Sequence, residues 1–377
     1  MWSSVSAKPE RARQTKASSA FRFQETYALD GHAGLCAGSG CFLERHMAYI
    51  LAADIGGTNS RFGLFGHLAG RDPELLESYS VLTASVGSLA QLLRRIRDAG
   101  LSIDPTVADQ VVLAVAGPVQ DGARCALTNA SWGIDLRESS AGLPADRTAL
   151  INDFVAQALG CRTRYAAESS ILVQEGAVRP GVVAVVGPGT GLGLCALAPL
   201  AAGCPGFLAL PSEGGHAPLA FVTEREFEFL RFLQARTGHS HAFGDIVVSG
   251  QGLCGMHLFL TGRDLSAPEV AREIGPQSET AEWFARFFGR ACRAYALHVL
   301  AWGGLYLCGG IAAKNPFLAA HHEFLREFRD CPAYGHLLAE IPIRLITAGD
   351  TGLRGAASHG QSLLDMGIND ASHVFVT

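Results

Sequence analysis

"LAADIGGTNSRFGLF", residues 51–65, decides how the rest of the chain is read. Apolar runs flank Asp54-Ile55-Gly56-Gly57-Thr58-Asn59 on both sides and read as two strands, which makes the polar residues between them a hairpin link. An ordinary tight turn accounts for such a link. A backbone cradle for phosphate accounts for it equally well, because glycines let several N–H groups approach an anion. The bend alone does not choose between the two.

Outward from this stretch the pattern alternates. Apolar β-type runs occupy 48–54, 61–65, 78–83, 111–116 and 148–151, with a helical segment, "SLAQLLRRIRDAG", at 88–100. A second set follows: "VVAVVG" at 182–187, "GLCALAP" at 193–199 and "GLYLCGG" at 304–310. Helices are expected around 223–236, 252–260, 279–302 and 351–364. Strands alternating with helices mean α/β. There is also an internal echo: strand, glycine-rich turn and strand occur at 50–65 and again at 182–198. Two similar halves, each offering a glycine turn to a cleft between them, are expected.

Five polar constellations interrupt this framework. "VVGPGTGLGLC" places Gly187, Gly189, Gly191 and Gly193 around Thr190. The spacing is neither the dinucleotide fingerprint nor a Walker loop, and lysine occurs only at 8, 16 and 314. A phosphate held here would be held by amides, hydroxyls and a metal, while the plain alternative is a glycine hairpin chosen for tight packing. "INDFVAQALG" at 151–160 sets Asn152 and Asp153 where a strand gives way to a helix. Helix capping explains one such residue. A carboxylate at the end of a buried strand is also where general bases sit in α/β sheets. "LPSEGGHAPLAF" at 210–221 puts Glu213 and His216 across two glycines, groups suited to neighbouring hydroxyls of a polyol. "GDIVVSGQGL" at 244–253 adds Asp245, by itself no more than a surface acid. "YLCGGIAAKNPFL" at 306–318 gives a strand, Gly309-Gly310 and a helix, where a flat ring could rest on backbone or a tight turn could simply close.

Composition bounds the class. The 377 residues exceed what one compact core usually takes, and 48% hydrophobic with 17% charged residues allows a sizeable interior. A net charge of −5 offers no general attraction to nucleic acid or to an anionic membrane, and no apolar stretch approaches bilayer length. Of the ten cysteines, Cys125, Cys161, Cys195, Cys254, Cys292 and Cys308 lie in apolar segments and read as small buried hydrophobes. Cys36 and Cys41 form a close pair without partners for a metal site. A reducing cytoplasm is the natural compartment. Residues 1–46 lack the apolar core of a secretory signal and read as a disordered extension before a start at Met47.

In this order, "DIGGTNSRFGLF", "AGPV" with "LTNASW", "INDF", "GPGTGLG", "EGGH", "SGQGL", "CGGI" and "TGLRGAASH" resemble the bacterial glucokinase family of the actin-like sugar kinase superfamily, from about Ala48 to His359. The resemblance implies two actin-like (ribonuclease H-like) α/β domains flanking a central cleft: a small one of residues 47–163 plus 350–368 and a large one of 164–349. It implies ATP-dependent phosphorylation of glucose at the 6-hydroxyl, with ATP and Mg²⁺ as cofactors. Asp54, Gly56, Gly57, Thr58 and Asn59 then form the first phosphate loop, with Asp54 meeting Mg²⁺ through water. Gly189, Thr190 and Gly191 belong to the second loop, and Gly309 and Gly310 to the adenosine site. Asn152, Asp153, Glu213, His216 and Asp245 are implied sugar contacts, with Asp153 as the catalytic base. The family usually carries glutamate at the position of Asp245, so the shorter acid is expected to weaken or water-bridge contact near the anomeric hydroxyl. "GGHAPLAFVTERE" lacks the cysteines that bind zinc in a neighbouring family of repressors and sugar kinases, so no structural zinc is expected. The partners implied are sugar and ATP, not nucleic acid or membrane, with a second copy of the chain as a candidate, since homodimers are common in such families. A kinase for mannose or an amino sugar, a non-catalytic sugar or nucleotide sensor, and an actin-like filament or chaperone ATPase remain the rivals.

Overall fold

The computed structural model describes residues 47–367 apart from 103, 129, 139–141, 178 and 201–205. The expectations for residues 1–46, including Cys36 and Cys41, and for residue 368 lie outside the described residues.

Each half of the chain builds a sheet around a hairpin. β1 (Ala48–Ile55) and β2 (Asn59–His67) pair antiparallel, β3 (Glu74–Leu82) extends β2, and β4 (Gln110–Val115) lies parallel to β1 on its other side. The short strands β5 (Val119–Gln120), β6 (Arg124–Ala126) and β7 (Gly133–Asp135) form a separate small sheet. β8 (Thr148–Asn152) then completes the first sheet in the order β3-β2-β1-β4-β8. The second sheet uses β9 (Ser170–Gln174), β10 (Val183–Pro188), β11 (Leu192–Pro199), β12 (Phe207–Ser212), β13 (Gly304–Leu307) and β14 (Ile343–Ile346). Its order is β12-β11-β10-β13-β14-β9. Reading from β10, it repeats the first sheet: an antiparallel hairpin partner on one side, parallel strands on the other, plus β9 as an antiparallel edge. The repeated strand–bend–strand of the sequence is thus a repeated sheet, and the architecture is the doubled actin-like α/β one.

Helices fill three layers. Outside the first sheet lies Leu89–Asp98, whose Leu89, Leu92, Leu93 and Ile96 recur at helical spacing and are all buried; Ser88 caps it by accepting the Gln91 N–H. Outside the second sheet, Glu224–Thr237, Glu279–Val299 and His322–Arg329 build an aromatic core of Phe229, Trp283, Phe284, Phe287, Phe288 and Phe324. Arg290 is buried among them and bridges Glu226 at 3.0 Å and Glu327 at 3.1 Å, which ties one residue of each helix together. Such a triad is tolerated because each charge has its partner.

Between the two sheets run Asp153–Gly160 and Thr351–Asp365. Their core takes Ile50, Ala52, Val112 and Ala114 from one sheet and Val183, Val185, Cys195 and Leu197 from the other. The helices cross with backbones nearly touching: a Cβ on Gly355 would collide with the Ala156 carbonyl, and one on Gly160 with the Thr351 carbonyl. These two helices are therefore common to both sheets, and one of them begins at Asp153.

Five of the six cysteines expected inside are buried; Cys254 is half-exposed, because its position on Gly250–Thr261 faces the rim of a cavity.

Candidate active site

The first bend is strapped in place. The Gly56 N–H donates to the Asn59 carbonyl at 3.0 Å, the Thr83 hydroxyl donates to the Gly56 carbonyl at 2.6 Å, and the Thr83 N–H donates to the Thr58 carbonyl at 2.9 Å. Gly57 is half-buried, while Thr58 and Asn59 are exposed to solvent. Asp54 pairs with Arg61 across the hairpin, and Arg61 in turn donates to the Gly349 carbonyl. An ideal Cβ on Gly352 would sit 3.2 Å from Asp54 Oδ2, which puts this carboxylate against the first turn of Thr351–Asp365. Burial pushes the Asp54 pKa up, and the Arg61 charge opposes the shift.

β8 delivers the next pair. Asn152 is the N-cap: its Oδ1 accepts from Phe154 N–H at 2.9 Å and Val155 N–H at 3.2 Å, and its Nδ2 donates to the Gly117 carbonyl at 3.1 Å. The capping explanation holds for this residue, and one amide hydrogen is left for a ligand. Asp153 follows as the first helical residue, half-buried, with Oδ1 accepting from Phe154 N–H at 2.8 Å. Its pKa rises from 3.8 to about 6, through burial first and the Asp54 charge second, with Glu213 adding to the rise and the Phe154 N–H opposing it. One acid from the first hairpin and one from the "EGGH" loop thus act on a single carboxyl.

Glu213, His216 and Asp245 converge from separate segments. His216 Nε2 lies 3.9 Å from Glu213 Oε2 and 3.7 Å from Asp245 Oδ2. Glu213 and His216 are largely exposed, with side-chain exposures of 80% and 61%, whereas Asp245 is at 25%. Asp245 is more than a surface acid. Its Oδ1 accepts the Leu192 N–H at 2.7 Å, and it occupies a slot that only glycine leaves open. A Cβ on Gly191 would lie 2.5 Å from its Oδ2, and one on Gly215 2.5 Å from its Oδ1. The carboxylate therefore ties the "EGGH" loop to the second glycine bend, a link between distant segments that spacing along the chain does not signal.

That bend is closed by Gly189 N–H donating to the Gly191 carbonyl at 2.8 Å, and Gly250 N–H donates to the Gly189 carbonyl at 2.9 Å. Thr190 points outward. Gly309 adopts φ 84°, and a Cβ there would lie 2.6 Å from the Pro188 carbonyl; Gly310 faces open space. The bend, the start of Gly250–Thr261 and the Gly309-Gly310 turn thus share one wall. A cavity of about 390 Å³ lined by Leu233, Arg236, Ile246, Gln251, Cys254 and Asp264 adjoins Gly250–Thr261 and contains none of the site acids.

A family model described as Glucokinase matches residues 51–363 of the chain. The chain is 32% identical over 331 residues to a glucokinase of Sinorhizobium medicae, covering 85% of this chain and 94% of that protein. It is 33% identical over 322 residues to one of Chromobacterium violaceum, covering 82% and 88%. Among solved structures, a glucokinase from an Antarctic psychrotroph superposes with a TM-score of 0.72 at 27% identity, covering 84% of this chain and 99% of that one. The Balamuthia mandrillaris glucokinase, solved in complex with glucose, superposes with a TM-score of 0.71 at 21% identity, covering 85% and 95%.

Proposed function

The chain belongs to the glucokinase family, and from that membership we propose that it transfers the γ-phosphoryl group of ATP to the 6-hydroxyl of glucose, giving glucose 6-phosphate and ADP. The observation that carries the residue-level reading is Asp153: a half-buried carboxyl raised to about 6, within reach of charge from both Asp54 and Glu213. A base of that pKa is ionised at neutral pH yet still basic enough to take a hydroxyl proton.

Glu213, His216 and the remaining N–H of Asn152 orient the sugar hydroxyls. Asp153 accepts the 6-hydroxyl proton as that oxygen attacks the γ-phosphorus. The bends at residues 54–59 and 187–193 present backbone N–H groups to the phosphates, and the Gly309-Gly310 turn receives the adenosine. Neither bend carries a lysine; Lys314, the only one beyond residue 16, ends the short helix after the Gly309-Gly310 turn. Phosphoryl transfer asks mainly for positioning and charge neutralisation, which this arrangement supplies.

The residues fit Mg²⁺. The donors are carboxylate oxygens, and Asp350 Oδ1, at the start of the helix that abuts Asp54, is buried without a hydrogen-bond partner. Mg²⁺ favours one or two carboxylates together with waters and phosphates over an all-protein cage. Asp54 would hold it through water, and the ion, when bound, neutralises charge on the phosphate oxygens. Residues 47–163 with 350–368 and residues 164–349 are proposed as the two lobes that close over the sugar to exclude water. A cytoplasmic location belongs to this reading; separately, among the described residues no helix is long and apolar enough to cross a membrane.

The test is a coupled assay with ATP, Mg²⁺ and a panel of hexoses. Glucose is expected to have the highest kcat/KM and to carry the phosphate on O6. No γ-phosphate transfer to any hexose would remove the reading. A higher kcat/KM for mannose or an amino sugar would transfer it to that substrate, an outcome to which the tightly held Asp245 gives weight.

A further inference from the structure

The second hairpin carries glycines where β10 and β11 face each other: Gly187 and Gly193 are direct cross-strand partners, on either side of the bend formed by Gly189, Thr190 and Gly191. Backbone conformation does not require them, since neither has a positive φ. What crowds both is a side chain from the other half of the chain, joined at Gly187 by the Cys308 sulfur. A Cβ on Gly187 would lie 2.7 Å from Phe154 Cε2, and one on Gly193 would collide with the same ring. Phe154 is the residue next to Asp153 on the helix shared by the two sheets.

We propose that Phe154 is a positioning residue. Its ring seats on the Gly187–Gly193 pair and so fixes the reach from the Asp153 carboxylate to the second glycine bend. This rests on the reading of Asp153 as the base. The geometry is direct. The Phe154 N–H holds Asp153 Oδ1 at 2.8 Å and Asn152 Oδ1 at 2.9 Å, so any shift of residue 154 moves the base and its cap together. The ring end of the same residue bears on strands that lead directly into the bend. One residue therefore grips the base with its backbone and the phosphate hairpin with its side chain. The flat surface of two bare glycines admits an aromatic ring at backbone contact, which an alanine at either position would prevent. Phe154 also borders the core between the sheets, so ordinary packing is the competing account, and the two differ in what they do to turnover.

The experiment uses the full chain in four forms: wild type, Phe154→Ala, which removes every ring atom that a Cβ on Gly193 would meet, Gly193→Ala and the double variant. Each is assayed for glucose phosphorylation and for its urea unfolding midpoint. Gly193→Ala is expected to lower kcat by about 100-fold, the scale of an ångström-sized misplacement, with the KM for glucose and for ATP within about threefold of wild type. Phe154→Ala alone is expected to lower kcat less. Combined with Gly193→Ala, the smaller side chain should restore at least tenfold of the lost kcat by making room for the added methyl. A double variant no better than Gly193→Ala alone overturns the proposal. So does a loss seen as raised KM with kcat intact, or an unfolding midpoint that falls while kcat holds. If wild type transfers no phosphate to glucose, the functional reading fails by itself. The unfolding midpoints of the four forms then still decide whether ring and glycine pair are coupled, and additive midpoints overturn the contact.

Discussion

Asp153→Asn separates the cost of holding the base from its use. Burial raises the Asp153 pKa from 3.8 to about 6, with the Asp54 charge adding to the shift. Between those two values the folded chain binds a proton that the unfolded chain does not. Stability therefore falls as pH rises from 3.8 to about 6 and stays lower above it. A shift of about two units at 1.36 kcal/mol each gives a penalty of about 3 kcal/mol at pH 8, an upper bound. Asparagine removes the charge and keeps an oxygen for the Phe154 N–H, which Asp153 now holds at 2.8 Å. The variant should thus be more stable than wild type at pH 8, by up to about 3 kcal/mol in urea unfolding without nucleotide or metal. The gain should vanish near pH 4, where both side chains are neutral. Turnover should drop by about 10² to 10⁴, the usual contribution of a general base. The wild-type kcat/KM for glucose should rise about tenfold per pH unit up to about 6 and level above it. A variant less stable than wild type at pH 8, or equally stabilised at both pH values, refutes the electrostatic reasoning. Near-normal turnover refutes the base.

Three further perturbations read other parts of the site and fold. Glu213→Ala should raise the KM for glucose at least about tenfold and leave the unfolding midpoint unchanged, because an exposed side chain carries little stability; a lowered kcat at unchanged KM would count against sugar binding. Asp245→Ala strips the Leu192 N–H of its acceptor and should cost about 1–3 kcal/mol in urea unfolding, while Asp245→Asn, which keeps an acceptor oxygen, should lose much less; equal losses would show that the bond does not hold the bend. Arg290→Met leaves Glu226 and Glu327 buried without their partner and should cost about 3–5 kcal/mol, with the KM for both substrates unchanged in the folded protein.

Much of the framework was legible in the chain itself. Leu89–Asp98, Glu224–Thr237 and Thr351–Asp365 fall within a residue or two of the helices expected from apolar spacing; the first two each bury one stripe, whereas the third, packed between the sheets, is buried on nearly all sides. The paired hairpins were legible because each joins two apolar runs through a glycine bend. β9, β12 and β14 were not anticipated. β14 is four residues long, β12 carries Pro211 at a sheet edge, and β9 is an edge strand that exposes Ile171 and Leu172. Their strand character comes from partners far along the chain, and a local pattern cannot carry it. The expected helix at 279–302 ends earlier, at Val299, where Leu300 turns to φ 48°.

By itself the sequence determined the α/β class, the doubled strand–bend–strand and the order of the polar segments, since periodicity and glycine placement act over a few residues. Tertiary structure alone decided what each of those groups faces. The Asn152 side-chain oxygen caps a helix, Asp245 bonds the backbone of the β10–β11 hairpin, and Gly187 and Gly193 are bare because a ring from a helix of the other half lies against them. The physical reason is that a glycine marks where something must come close, while the identity of what comes close depends on how two distant surfaces pack.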